Sequence, residues 1–388
     1  MSVTLHRLID QVHAAAAEAH LPYPAESRPR VNVGLHDYTT QAFLFSLDFD
    51  RFFTDIAYFT EQTLAVNLWR HANIRDDILI TPGITSSLGY YPEYTYLGMT
   101  VAVDAQGVAH IQTDHPLSRD PDLRLLPVVD FTTSGWMPRV LRWHDALVEV
   151  IGDRMPVSFG MTWWRGPLDL AIQLRGYEAF MEDVAERPEF VHGLLQGITE
   201  RRCRWFEGYY AHFGLELAPA PIGDDWLNVP FISPDFFAEF VLPCYLEIEH
   251  FHGGLAWLHS CGNQGPLQPY LLKLTSLEHF EVSPWTDMHE TLRNIPPDKG
   301  LGFDLHPTAV LLDPSDVQRE KLQAIKTACT GRRYNVQGGA ALCLDSREVY
   351  VQRLQEWLVT AYEVFAGSSE RRQAHNKDVT DVSSVLRR

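Results

Sequence analysis

Residues 255–283 read LAWLHSCGNQGPLQPYLLKLTSLEHFEVS. Two short apolar runs, 255–259 and 277–282, each end in polar or turn residues, and the segment between them has room for a helix. The same rhythm extends in both directions. Apolar runs recur at 157–161, 219–223, 301–305 and 333–337, with amphipathic stretches of helical period between them. Within 191–213, Leu194, Ile198, Trp205, Tyr209 and Phe213 fall near one helical face. Ser233-Pro234 is an N-cap followed by a first-turn proline, and Asp345-Ser346-Arg347-Glu348 offers a capping box for a last long helix.

Strands alternating with helices predict a parallel sheet covered by helices. Upstream, 31–36 (VNVGLH) and 77–81 (DILIT) read as two further strands, and the Phe- and Tyr-rich segment 39–58 as helical. Six strands plus two make eight. That count predicts an α/β fold of the (β/α)8 TIM type, with residues 1–30 as an N-terminal helical extension, 31–366 as the barrel and 367–388 as a polar tail. No G-x-G-x-x-G follows a strand and no Walker A sequence occurs, which disfavours dinucleotide and P-loop chemistry.

The 388 residues carry 32 Lys and Arg against 50 Asp and Glu, a net charge of −18. Such a chain repels nucleic acid and anionic membrane surfaces. No run is long and apolar enough for a membrane span, and residues 1–21 lack the continuous apolar core of a signal peptide. Five cysteines, an odd number in a long chain, fit a reducing cytoplasm better than a disulfide framework.

In a barrel, chemistry collects where strands end. His259 and Cys261 close one run two residues apart, so in extended chain both side chains point the same way. Imidazole beside thiolate suits zinc, a borderline-soft ion. Glu281 ends the next run, and Cys343 follows the last one in the loop after Gly338-Gly339. These four form a candidate ligand set from three strands. The alternative is two small buried cysteines and one hydrogen-bonded core histidine. Other strand ends supply Trp163, Trp164 and Arg165, then Asp224, Asp225 and Trp226, then Trp285, and His36 after the first strand. Aromatics beside a few polar groups suit a small-molecule pocket, although ordinary packing also accounts for each Trp and a helix cap for Asp224.

The segment His259-Ser260-Cys261-Gly262-Asn263 resembles the H-x-C-G signature of the uroporphyrinogen decarboxylase superfamily, and most closely its zinc-dependent, cobalamin-linked methyltransferases. Ile222-Gly223-Asp224-Asp225, then Ser233-Pro234-Asp235-Phe236-Phe237 and Phe240-Val241-Leu242-Pro243, is similar to that superfamily's acidic strand end and following helix. Gly166-Pro167-Leu168-Asp169-Leu170-Ala171 is similar to its G-P-F-x-L-A segment. The resemblance implies zinc on His259, Cys261 and Cys343, with Glu281 by likeness to cobalamin-independent methionine synthase. It further implies methyl transfer between a small substrate (a methoxylated aromatic, a methylamine or a thiol) and a corrinoid carried by a partner protein. The arginine-rich R-Q-A-G-R signature of the porphyrinogen decarboxylases is absent, which disfavours that reaction. Two other readings stay open: a metal-free decarboxylase or lyase using Asp224 or His36 as acid or base, and a non-catalytic subunit that docks a corrinoid protein.

Overall fold

The structure, a computed structural model, describes residues 3–21, 28–35, 38–89, 91–104, 108–112, 114–160, 163–342 and 344–366. The predicted tail 367–388, His36 and Cys343 lie outside the described residues. Among the described residues ten strands occur in chain order: β1 (Arg30–Gly34), β2 (Ile84–Ser86), β3 (Val101–Val103), β4 (Ala109–Ile111), β5 (Val157–Phe159), β6 (Ala220–Gly223), β7 (Leu255–His259), β8 (His279–Val282), β9 (Gly300–Leu305) and β10 (Tyr334–Gly339). β3 and β4 form a small antiparallel hairpin that the sequence reading did not foresee. The other eight pair in parallel, as β1–β10–β9–β8, β2–β5 and β6–β7. The first and last strands are therefore neighbours. A parallel bridge between Arg165 and Gly223 links the chain after β5 to β6.

The six strands expected after residue 153 are all present, β7 with the expected bounds and the others shifted by one or two residues at one or both ends. The run 77–81 is not a strand, and the second parallel strand is β2 instead. The reason is local. Asp76 and Asp77 act as acceptors for the free edge of β1: Val33 N–H donates to Asp76 at 2.9 Å and Val31 N–H to Asp77 at 2.7 Å. Arg28 closes on Asp77 with two hydrogen bonds of 2.6 and 2.8 Å. With those edge donors taken by carboxylates, the backbone joins β1 through Asp77 N–H donating to the Val31 carbonyl at 2.9 Å, and Ile78 and Leu79 face outward.

The helix predicted over 191–213 runs Pro188–Phe213 and buries Val191, Leu194, Ile198, Trp205 and Phe206. Ser233 caps the next helix through Phe236 N–H at 3.0 Å. Ser346 caps Arg347–Ala366 through Val349 N–H at 3.2 Å, so the cap begins one residue later than the expected box. Helix Val3–Glu18 packs Leu5, Leu8, Ile9 and Val12 inward, and Arg154 donates to Asp10 at 2.5 Å. The main core lies between the helices and the strand faces turned toward them: Val31, Val33, Leu258, Phe280, Val282, Leu301, Phe303 and Val336 are all buried. Among the described residues no helix is long and apolar enough to cross a membrane.

Candidate active site

His259 is the last residue of β7, and Cys261 follows in a loop held from both sides. On one side Ser283 donates to the Gly262 carbonyl at 2.7 Å. On the other, a Cβ at Gly262 would fall 2.2 Å from Asn228, so only glycine lets these chains approach. The clamp leaves Cys261 exposed, with its Sγ 3.3 Å from His259 Nε2 and 3.3 Å from Asp225 Oδ1. Asp225 Oδ1 is 3.6 Å from the same Nε2. One imidazole nitrogen, one sulfur and one carboxylate oxygen thus converge, each within 4.8 Å of the others.

Glu281, on β8, meets the opposite edge of the ring. Both its oxygens lie 2.8 Å from His259 Nδ1. That contact keeps a proton on Nδ1 and turns Nε2 toward Cys261. Burial opposes charge on His259, but the contacts with Cys261 and Glu281 outweigh it and hold the imidazole up at about 11. Asp304, at the end of β9, adds a second carboxyl within 4.8 Å of His259 and Glu281. Burial first, then the Glu281 charge, pushes Asp304 up to about 8.

A second polar cluster borders this one. Arg165 bonds Asp169 at 2.5 Å and also Asp225, and its guanidinium stacks 4.3 Å over the Trp164 ring. Burial works against charge on Asp225, yet Arg165 prevails and lowers its pKa. Asp224 is fully enclosed. It accepts from Leu168 N–H at 3.1 Å, Asp169 N–H at 2.9 Å and Tyr245 O–H at 2.9 Å. The two N–H groups are free donors at the start of helix Pro167–Arg175, so Asp224 caps that helix from the residue that follows β6.

A family model described as uroporphyrinogen decarboxylase (URO-D) matches residues 91–358. The chain belongs to the URO-D family. A solved structure, a methyltransferase from Methanosarcina mazei, is 17% identical with a TM-score of 0.60, covering 92% of this chain and 98% of that one. No curated protein matches.

Within this URO-D chain the residues singled out from sequence have different fates. His259, Cys261, Glu281, Asp225 and Arg165 come together as described. Trp164 flanks them, stacked 6.4 Å from Trp257, which in turn stacks 5.2 Å from the His259 ring. A Cβ at Gly223 would fall 1.8 Å from the Trp164 ring, so the glycine before Asp224 makes room for that indole. Trp226 stacks on Tyr177 at 4.9 Å with Phe231 edge-on at 5.0 Å. Trp285 is 59% exposed and meets His306 edge-on. Two residues do not line a pocket. Trp163 is fully buried between Tyr96 and Trp205, because the chain after β5 turns it toward the helices. Asp224 is closed off by the cap just described, which also removes it as an exposed acid or base.

Sequence reading missed Asp304, Trp257 and Glu93. Asp304 and Trp257 sit on strands at positions two residues from a turn or a chosen ligand, and period-two alternation would have found both. Glu93 is fully buried in helix Pro92–Tyr96, accepts from Arg165 N–H at 3.2 Å through Oε1, and its Oε2 has no partner among the described residues. Burial raises Glu93 to about 7.

Proposed function

We propose that this URO-D family member is a zinc-dependent methyltransferase. It moves a methyl group between a small substrate and a corrinoid supplied by a partner protein. The eight parallel strands are read as a closed (β/α)8 barrel over 31–366, whose strand ends bear the site. The observation that carries the reading is the pairing of His259 Nε2 with Cys261 Sγ at 3.3 Å while Nδ1 is tied to Glu281. Nitrogen, sulfur and carboxylate oxygen in one place fit a borderline-soft ion. His259 and Cys261 are the ligands of this reading, with Asp225 at hand and Cys343 and Glu281 carried by resemblance.

Zinc held there would keep a substrate thiol as thiolate or polarise a heteroatom bearing the methyl group. The chain's own residues do the rest. Glu281 holds the Nδ1 proton and orients the ring. Arg165 fixes Asp225 and keeps it ionised beside Cys261. Trp164, Trp257 and Trp285 offer aromatic surface to a small substrate or a corrinoid face. The likeness in fold to the Methanosarcina mazei methyltransferase supports this reading.

The test mixes enzyme, cobalamin in the Co(I) state and a panel of methoxylated aromatics and methylamines, and follows the methyl-Co(III) spectrum. A parallel arm supplies methylcobalamin and small thiols. Methyl transfer in either arm, lost in His259→Ala, is the expected result. Silence in both arms with zinc bound overturns the reading.

A further inference from the structure

The ladder between β6 and β7 is irregular. Ala220 pairs with Leu255, but the next residue of β6, Pro221, pairs with Trp257, and Gly223 pairs with His259. Ala256 is therefore an extra residue, a bulge in β7. In a regular strand Leu255, Trp257 and His259 would share one face. The bulge separates them. Leu255 stays in the core, 3% exposed, whereas Trp257 is 40% exposed and joins His259. Re-aiming a side chain beside a site is what such bulges do.

The re-aimed indole lies against the imidazole. The ring centroids are 5.2 Å apart and the planes 15° from parallel, within the range of offset stacking. Trp257 is itself braced. Trp164 stacks on it at 6.4 Å in the room that Gly223 leaves, and the Arg165 guanidinium lies 4.3 Å over Trp164 and 4.9 Å over Tyr91. Arg165 is anchored in turn by Asp169 and Asp225.

Glu281 cannot orient His259 alone. Both its oxygens meet the same atom, Nδ1, at 2.8 Å, which pins one corner of the ring. The tilt of the ring plane about that corner is left open, because the second torsion of a histidine side chain has a broad, soft profile. A flat indole against the imidazole supplies the missing restraint. The tilt matters because Nε2 faces Cys261 Sγ at 3.3 Å and Asp225 Oδ1 at 3.6 Å, and turning the plane moves it against both.

We propose that Trp257 is a positioning residue: its indole sets the plane of the His259 ring and so the direction in which Nε2 meets a metal beside Cys261. The ring-setting role is tested without metal, and its consequence for metal binding rests on the proposed zinc function. Trp257→Leu removes the flat face, and Trp257→Phe keeps one. The 40% exposure of Trp257 means that neither change empties a sealed core position, and urea unfolding verifies that both variants fold.

The full chain is labelled with 13C in its histidine rings, kept metal-free, and the His259 signals are identified by their loss in His259→Gln. In the parent the ring should be as rigid as ordered backbone, with an order parameter of about 0.85. In Trp257→Leu it should fall below about 0.6, and in Trp257→Phe it should return toward the parent value. A ring equally rigid in Trp257→Leu, or as mobile in Trp257→Phe as in Trp257→Leu, overturns the proposal. Zinc is then added in competition with a chelator. Trp257→Leu should bind it about tenfold more weakly than the parent, with the loss largely restored in Trp257→Phe. Parent affinity in a variant whose ring has become mobile overturns the link to the metal. A parent that binds no zinc yet holds a rigid, Trp257-dependent ring leaves the ring-setting role standing and overturns the zinc function.

Discussion

Asp224 and Asp225 are adjacent in sequence and opposite in circumstance. Asp224 is sealed among two backbone N–H groups and the Tyr245 hydroxyl, at the start of helix Pro167–Arg175. Asp225 reaches the open loop, where one oxygen faces Cys261 and the other meets Arg165. A carboxylate with its acceptor capacity used by fixed donors serves architecture. One that keeps an oxygen facing a thiol and an imidazole is available for chemistry. The same contrast separates the two polar clusters as wholes.

Truncating each aspartate in turn separates their roles. Asp224→Ala strands two N–H groups and a buried hydroxyl, and should lower stability by about 2–4 kcal/mol, measured by urea unfolding. Asp225→Ala should cost about 1 kcal/mol or less, since Arg165 keeps Asp169, yet it should impair methyl transfer. Equal stability losses would erase the distinction.

Much of this was legible from sequence. The His-x-Cys spacing at a strand end put His259 and Cys261 together, and the Ser283 and Asn228 contacts at Gly262 hold the loop that presents the thiol. Glu281 was placed correctly one strand over, and the structure sets it against Nδ1 rather than beside Cys261, a difference that depends on ring orientation alone. The run 77–81 failed because its apolar pattern says nothing about the carboxylates of Asp76 and Asp77, which take the edge donors of β1. Trp163 and Trp164 looked alike on paper. Which indole enters the core is decided by the space that Gly223 leaves open, and spacing does not record that.

A smaller effect probes the sealed region from another side. Glu93 has its folded pKa raised by burial from 4.5 to about 7. A raised carboxyl favours the protonated fold, so its contribution is full below pH 4.5 and fades as pH climbs to about 7. Glu93→Gln abolishes that slope. Its stability relative to the parent should grow between pH 4.5 and 7 by at most about 3 kcal/mol. A pH-independent difference in thermal or urea unfolding would show that Glu93 is ionised in the fold. In the open region, Glu281→Gln removes the anion behind the His259 Nδ1 proton. Metal affinity should fall by about 10–100-fold with stability little changed, as read by competition with a chelator.

Zinc binding is measured most directly by elemental analysis of the purified full chain and of Cys261→Ala, with circular dichroism to verify folding. A zinc-loaded parent and a folded variant that has lost its zinc are expected. Full zinc retained in folded Cys261→Ala would contradict zinc ligation by Cys261.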